Sequence, residues 1–82
     1  MDAKGLIDGH VRTKLEDTFG KAVAMMIMAT ATTAARVPLM EPSLDEYLRL
    51  VDCVCDDPRV QDMWGKAGSQ AAREQWRSLA RG

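Results

Sequence analysis

Apolar and small residues recur along the first part of the chain at alternating spacings of four and three. This is the heptad pattern of a helix that packs along one seam. No proline interrupts the chain between this pattern and Pro38, and Asp8 is a suitable N-cap. The pattern therefore predicts one long helix over residues 9–36. The seam consists of Leu15, Phe19, Ala22, Met26, Ala29 and Thr33.

The second half of this predicted helix is apolar on every side. The fourteen residues from Ala22 to Ala35 contain no charge, no glycine and no proline. A helix of this kind is buried in a large core, in a bilayer or against a partner. At 1.5 Å per residue it spans about 21 Å, less than the roughly 30 Å hydrocarbon core of a bilayer. We therefore expect no membrane partner, and a core built by the rest of so short a chain leaves one side of the helix uncovered.

The rest of the sequence predicts shorter helices that fold back on the long one. Two prolines mark a linker over residues 37–42, and Ser43 with Glu46 three positions later forms a capping-box signature for a helix over residues 43–55. Asp57 followed by proline starts another helix. The remaining predicted segments are helices over residues 58–66 and 69–80 and a loose arm over residues 1–8.

These elements predict the all-α class. We expect residues 1–82 to form a single small helical domain, in which a long N-terminal helix is followed by two or three shorter helices that fold back as a hairpin or small bundle. No alternating strand pattern and no internal repeat is present.

Charge is balanced in total but not along the chain. The net charge is −1, which argues against general binding to nucleic acids or anionic membranes. Residues 41–62 carry seven acidic side chains and two basic ones, whereas residues 66–82 carry four basic and one acidic. Such segments can pair within one chain or between copies. The spacing places Arg73, Arg77 and Arg81 on one outward stripe, beside Trp76.

Two cysteines and one histidine are the residues with the most distinctive chemistry. Cys53 and Cys55 lie two positions apart and so point about 200° apart on a helix, which prevents a shared metal site or an unstrained disulfide. His10 is remote in sequence, and a closed zinc site needs four ligands. We therefore expect no metal and no cofactor. The start of the chain lacks a secretory signal pattern, so we expect a reducing, cytoplasmic location.

No catalytic set is present in the pattern, so we expect a protein that is not an enzyme, although an active site shared between subunits stays open. The leading hypothesis is a helical subunit that assembles through its apolar long helix, with itself or with a larger complex. One alternative is a metal- or redox-linked accessory protein using Cys53 and Cys55; another is a small nucleic-acid-associated protein using the arginine stripe. The predicted interface residues are Phe19, Ala22, Met25, Met26, Ala29, Thr33, Arg73, Trp76 and Arg77.

Overall fold

All regular secondary structure in the computed structural model is helical, which confirms the predicted all-α class. The structure describes residues 2–38 and 40–81. In chain order the elements are α1 (Ala3–Leu6), a π-helical turn (Ile7–Val11), α2 (Arg12–Phe19), α3 (Lys21–Ala35), α4 (Leu44–Asp56) and α5 (Pro58–Ala80).

The N-terminal residues are helical and packed on the core, so the prediction of a loose arm over residues 1–8 is wrong for the described residues 2–8. The amide of Gly5 donates a 2.7 Å hydrogen bond to the Asp2 carboxylate, which caps α1. Leu6 and Ile7 are buried, and α1 contacts both α4 and α5. Asp8 is not an N-cap, because it lies inside the π-helical turn. One helical turn is too short to show a period in the sequence.

The predicted helix over residues 9–36 is also wrong, because it is broken at Gly20. This glycine has φ 83° and ψ 165°, a conformation that is essentially restricted to glycine. The chain changes direction there, so the heptad seam does not follow one helix. Leu15 is buried and Phe19 half-buried, but the seam residues of α3 face solvent.

Helix α4 begins where the sequence predicts and lies at the centre of the core. The Ser43 hydroxyl accepts from the Glu46 amide at 3.1 Å, and the Glu46 carboxylate accepts from the Ser43 amide at 2.8 Å. These two bonds confirm the capping box. Helix α4 contacts α1, α3 and α5. The described residues of the predicted linker over 37–42 are not helical, and Leu39 lies outside the described residues. The buried face of α4 consists of Tyr47, Leu50, Val51, Val54 and Cys55.

Helix α5 is one element with an interruption, where the sequence predicts two helices over residues 58–66 and 69–80. Asp57 caps it by accepting from the Arg59 amide at 2.8 Å. The interruption lies at Gly65, which has φ 74° and ψ 170°. Ser69, the first residue of the second predicted helix, is instead buried within α5. The sequence therefore indicates the break correctly but places it a few residues late.

Each of the two helix breaks directly follows an aromatic residue, and these two residues, Phe19 and Trp64, belong to one cluster. The ring centroids of Phe19 and Trp64 are 6.2 Å apart, and those of Trp64 and Trp76 are also 6.2 Å apart. The Trp64 indole N–H donates to the Thr18 hydroxyl at 3.2 Å. The ammonium group of Lys14 lies 5.1 Å from the centroid of the Trp64 ring. The cluster thus joins the end of α2 to α5.

Candidate docking surface on helix α3

Helix α3 presents an uncharged face to solvent, which we call the α3 outer face. It consists of Ala22, Met25, Met26, Ala29, Thr30 and Thr33, all of them exposed. The side chain of Met25 is 72% exposed and that of Met26 is 58% exposed. The opposite side of the helix is buried against the core through Ala24, Ile27, Met28, Ala31 and Ala35. The fold thus covers only one side of a helix that is apolar on both.

The hydroxyl groups on and beside this face are partly used by α3 itself. Thr30 donates to the carbonyl of Met26 at 2.9 Å, and Thr32 donates to the carbonyl of Met28 at 2.6 Å. A threonine that bonds to the preceding helical turn offers its hydroxyl less readily to other groups. The α3 outer face therefore behaves as more apolar than its two threonines, Thr30 and Thr33, indicate.

An open groove of about 610 Å³ runs along one edge of the α3 outer face. It shares Met25, Ala29 and Thr33 with that face. A smaller hollow of about 160 Å³ continues it past Arg12 and Met25 towards Lys21. The groove is lined by Lys4, Ile7, Asp8, Arg12, Met25, Met28, Ala29, Thr32, Thr33, Val37, Pro38, Pro42 and Leu50.

The wall of this groove opposite α3 comes from the N-terminal segment that was predicted to be loose. Ile7 and Asp8 of the π-helical turn line it, and Arg12 pairs with Asp8 at 3.4 Å. Single π-helical turns occur often at functional sites. The groove exists because α1 docks on α4 and α5, and no short-range pattern in the sequence reveals that docking.

Five of the nine predicted interface residues lie together on the α3 outer face: Ala22, Met25, Met26, Ala29 and Thr33. The other four do not. Trp76 is only 2% exposed and belongs to the core, and Phe19 is half-buried against Trp64. Their aromatic surface is used within the chain.

Arg73 and Arg77 are directed towards α4, so the prediction that they face outward is wrong. Arg77 Nη2 lies 2.7 Å and 2.9 Å from the two carboxylate oxygens of Asp52. Arg73 Nη2 lies 2.6 Å from Asp56 Oδ1. The acidic middle and the basic C-terminal part of the sequence therefore pair within one chain. A helical period groups these arginines on one face but does not indicate what that face meets.

The two cysteines lie on different sides of α4, as their spacing predicts. Cys55 is buried, and burial raises the pKa of its thiol against the opposing effect of Arg73. Cys53 is half-buried in a hollow beside Ala34 and Arg36. Burial and the nearby carboxylates raise its pKa as well. Both groups are therefore mainly protonated thiols at neutral pH, and such thiols are poor nucleophiles.

His10 lies half-exposed in the π-helical turn. Over residues 2–38 and 40–81, no three histidine, cysteine, aspartate or glutamate side chains are grouped so that they could hold a metal ion. In the same residues, every helix is too short or too polar to cross a membrane.

Comparison with known proteins gives no match: no protein-family model, no curated protein and no solved structure resembles the chain.

Proposed function

We propose that this protein is a non-enzymatic helical subunit that acts by assembling through the α3 outer face, with copies of itself or with a larger protein. The observation that supports this most directly is the exposure of Met25 and Met26 within the uncharged stretch from Ala22 to Ala35. Contiguous exposed apolar surface of this kind marks interaction sites.

The composition of the face suits contact with another helix. Ala22, Ala29 and Thr33 are small, which allows a second backbone to approach closely. Met25 and Met26 are flexible and polarizable, so they adapt to the shape of a partner. Free cysteines support a reducing compartment in this proposal, and we place the protein in the cytoplasm.

The area of the face indicates that the adjoining groove takes part. A stable interface buries roughly 800 Å² on each partner. Helix α3 is about 22 Å long and about 10 Å wide, so its outer face offers roughly 200–300 Å². We therefore include the groove walls around Ile7 and Arg12 in the proposed contact.

Substitution of Met26 by lysine tests the proposal, and Met63→Lys is a matched control. Both methionines are 58% exposed, but Met63 belongs to α5. We expect light scattering of the purified protein, alone or with its co-purified partner, to show an assembly that Met26→Lys disrupts and Met63→Lys preserves. Circular dichroism should show that both variants are folded, because neither side chain is in the core. The proposal is wrong if the wild-type chain remains monomeric at micromolar concentration and if Met26→Lys abolishes no binding to another protein.

No specific observation favours the metal-linked or the nucleic-acid alternative, so assembly is the one function that we propose.

A further inference from the structure

We infer that the occupant of the α3 outer face and its groove is an amphipathic helix of another protein, with an acidic residue at each end of its apolar stripe. This inference rests on the proposed function. It goes further in excluding a second copy of the chain as the preferred occupant.

The first argument is the charge at the two ends of the face. Lys21 begins α3 and Arg36 is its C-cap, so the uncharged face lies between two exposed cations. Neither cation forms an ion pair with any of residues 2–38 and 40–81. At 1.5 Å per residue they are about 22 Å apart along the helix. A partner stripe of the same length with carboxylates at its ends would pair both of them.

The groove adds to this imbalance. Its lining includes Lys4, which forms no ion pair with the described residues, and Arg12, which Asp8 already neutralises. Glu16 borders the smaller hollow, and its carboxylate forms no ion pair with the described residues. In the lining of the groove and the smaller hollow, two cations outside ion pairs, Lys4 and Lys21, therefore stand against one such carboxylate, Glu16, and the net charge of this lining is positive.

The N-terminus of α3 strengthens the attraction for a carboxylate. Gly20 supplies no side-chain cap, and the first turn contains no acidic residue. The partial positive charge of the helix dipole therefore adds to that of Lys21, and an anion there gains typically 0.3–1 kcal/mol. A partner carboxylate at this end would interact with both.

A second copy of the chain fits this surface poorly in either orientation. An antiparallel pair of α3 helices places Lys21 opposite Arg36 of the second copy, and a parallel pair places each cation opposite its equivalent. Like charges across an interface disfavour a pairing. In the parallel pair, Ala22 and Ala29 would also face their small equivalents, whereas larger side chains from a different helix would fill that space.

Two synthetic peptides test this inference by fluorescence anisotropy. Both are three-heptad amphipathic helices with leucine along the seam; one has glutamate at both ends of the stripe and the other has lysine. We expect the glutamate peptide to bind about tenfold more tightly at low salt, from two exposed charge pairs gained and two repulsions avoided. The preference should reverse in the double variant Lys21→Glu, Arg36→Glu and persist in the control Lys66→Glu, Arg81→Glu, which changes two exposed cations elsewhere.

The possible results separate this inference from the proposed function. Equal binding of both peptides that is lost in Met26→Lys overturns the inference about charge but leaves assembly through α3 intact. Failure of both peptides, with wild-type oligomers that Met26→Lys disrupts, identifies a second copy as the occupant and also overturns the inference. If neither peptide binds and the chain forms no assembly, both the inference and the proposed function are overturned.

Discussion

The hydroxyl group of Tyr47 donates a 2.7 Å hydrogen bond to the backbone carbonyl of Trp76, 29 residues further along the chain. Both side chains are buried, so this bond joins α4 to α5 inside the core. At the edge of the same helix pair, Asp52 and Arg77 form a two-point ionic contact. Polar contacts thus join α4 to α5 both inside the core and at its edge.

Removal of this buried bond should destabilise the fold. We expect Tyr47→Phe to lower the free energy of unfolding by about 0.5–1.5 kcal/mol, because the ring still packs but the hydrogen bond is lost. Urea denaturation followed by circular dichroism measures the change. An unchanged midpoint and slope would show that the bond contributes nothing to stability.

The same residue predicts a loss of stability in alkali. Burial, assisted by Cys55, raises the pKa of Tyr47 to about 12 from 10.0. Below pH 10 the phenol is protonated in both states, and its contribution is complete. Between pH 10 and about 12 the unfolded chain loses this proton before the folded one, so stability falls with rising pH in that window.

Tyr47 is the only tyrosine, so the ultraviolet absorbance of tyrosinate reports on it alone. The absorbance should rise near pH 12 in the native protein and near pH 10 in the denatured chain. Tyr47→Phe is the control for the stability measurement, because this variant should lose less stability than the wild-type chain between these pH values. A native titration near pH 10 would show that the hydroxyl is not buried.

Alanine substitution at the two helix breaks, Gly20 and Gly65, should lower stability because of their backbone conformation, and Gly9 serves as the control. No heavy atom lies within 4 Å of a Cβ added at Gly20, Gly65 or Gly9, so alanine meets no steric clash at any of them. Gly20 and Gly65 have positive φ, and Gly9 does not. We expect Gly20→Ala and Gly65→Ala each to cost about 1–3 kcal/mol of unfolding free energy. Gly9→Ala should instead add about 0.5–1 kcal/mol. Equal effects at all three sites, measured by thermal denaturation, contradict the assignment of the breaks.

The thiols should differ in accessibility. Cys53 is half-buried and Cys55 fully buried. Under native conditions at neutral pH we expect iodoacetamide to modify Cys53 slowly, since its pKa is raised, and Cys55 only as fast as the chain unfolds. Mass spectrometry of the modified peptides measures both rates, and denatured protein supplies the reference. Rapid native modification of Cys55 would show that α4 is not packed as described.

The features that the sequence predicts correctly depend on neighbouring residues. The capping box of Ser43 and Glu46 and the pairing of Asp57 with proline fix the starts of α4 and α5 by contacts within a few positions. The break at Gly20 depends on distant contacts, because an isolated glycine is compatible with a helix. There the aromatic contact between Phe19 and Trp64 connects residues far apart in the chain.

The candidate surface could be predicted in part for a similar reason. An uncharged helix with apolar residues on every side indicates that one side is left for a partner, but its pattern does not indicate which side the core covers. Met25 and Met26 are exposed while Ile27 and Met28 are buried. The groove beside them could not be predicted, because it depends on the docking of α1.

Methionine oxidation measures whether a partner covers the α3 outer face, because Met26 and Met63 have the same exposed fraction, 58%, in the single chain. Dilute hydrogen peroxide oxidises accessible thioethers, and mass spectrometry gives the rate at each position. In the assembled protein we predict that Met25 and Met26 are oxidised several times more slowly than Met63. In the Met26→Lys variant, the difference between the oxidation rates of Met25 and Met63 should disappear. Equal rates at Met26 and Met63 in the assembled protein would show that nothing covers the α3 outer face and that assembly does not use it.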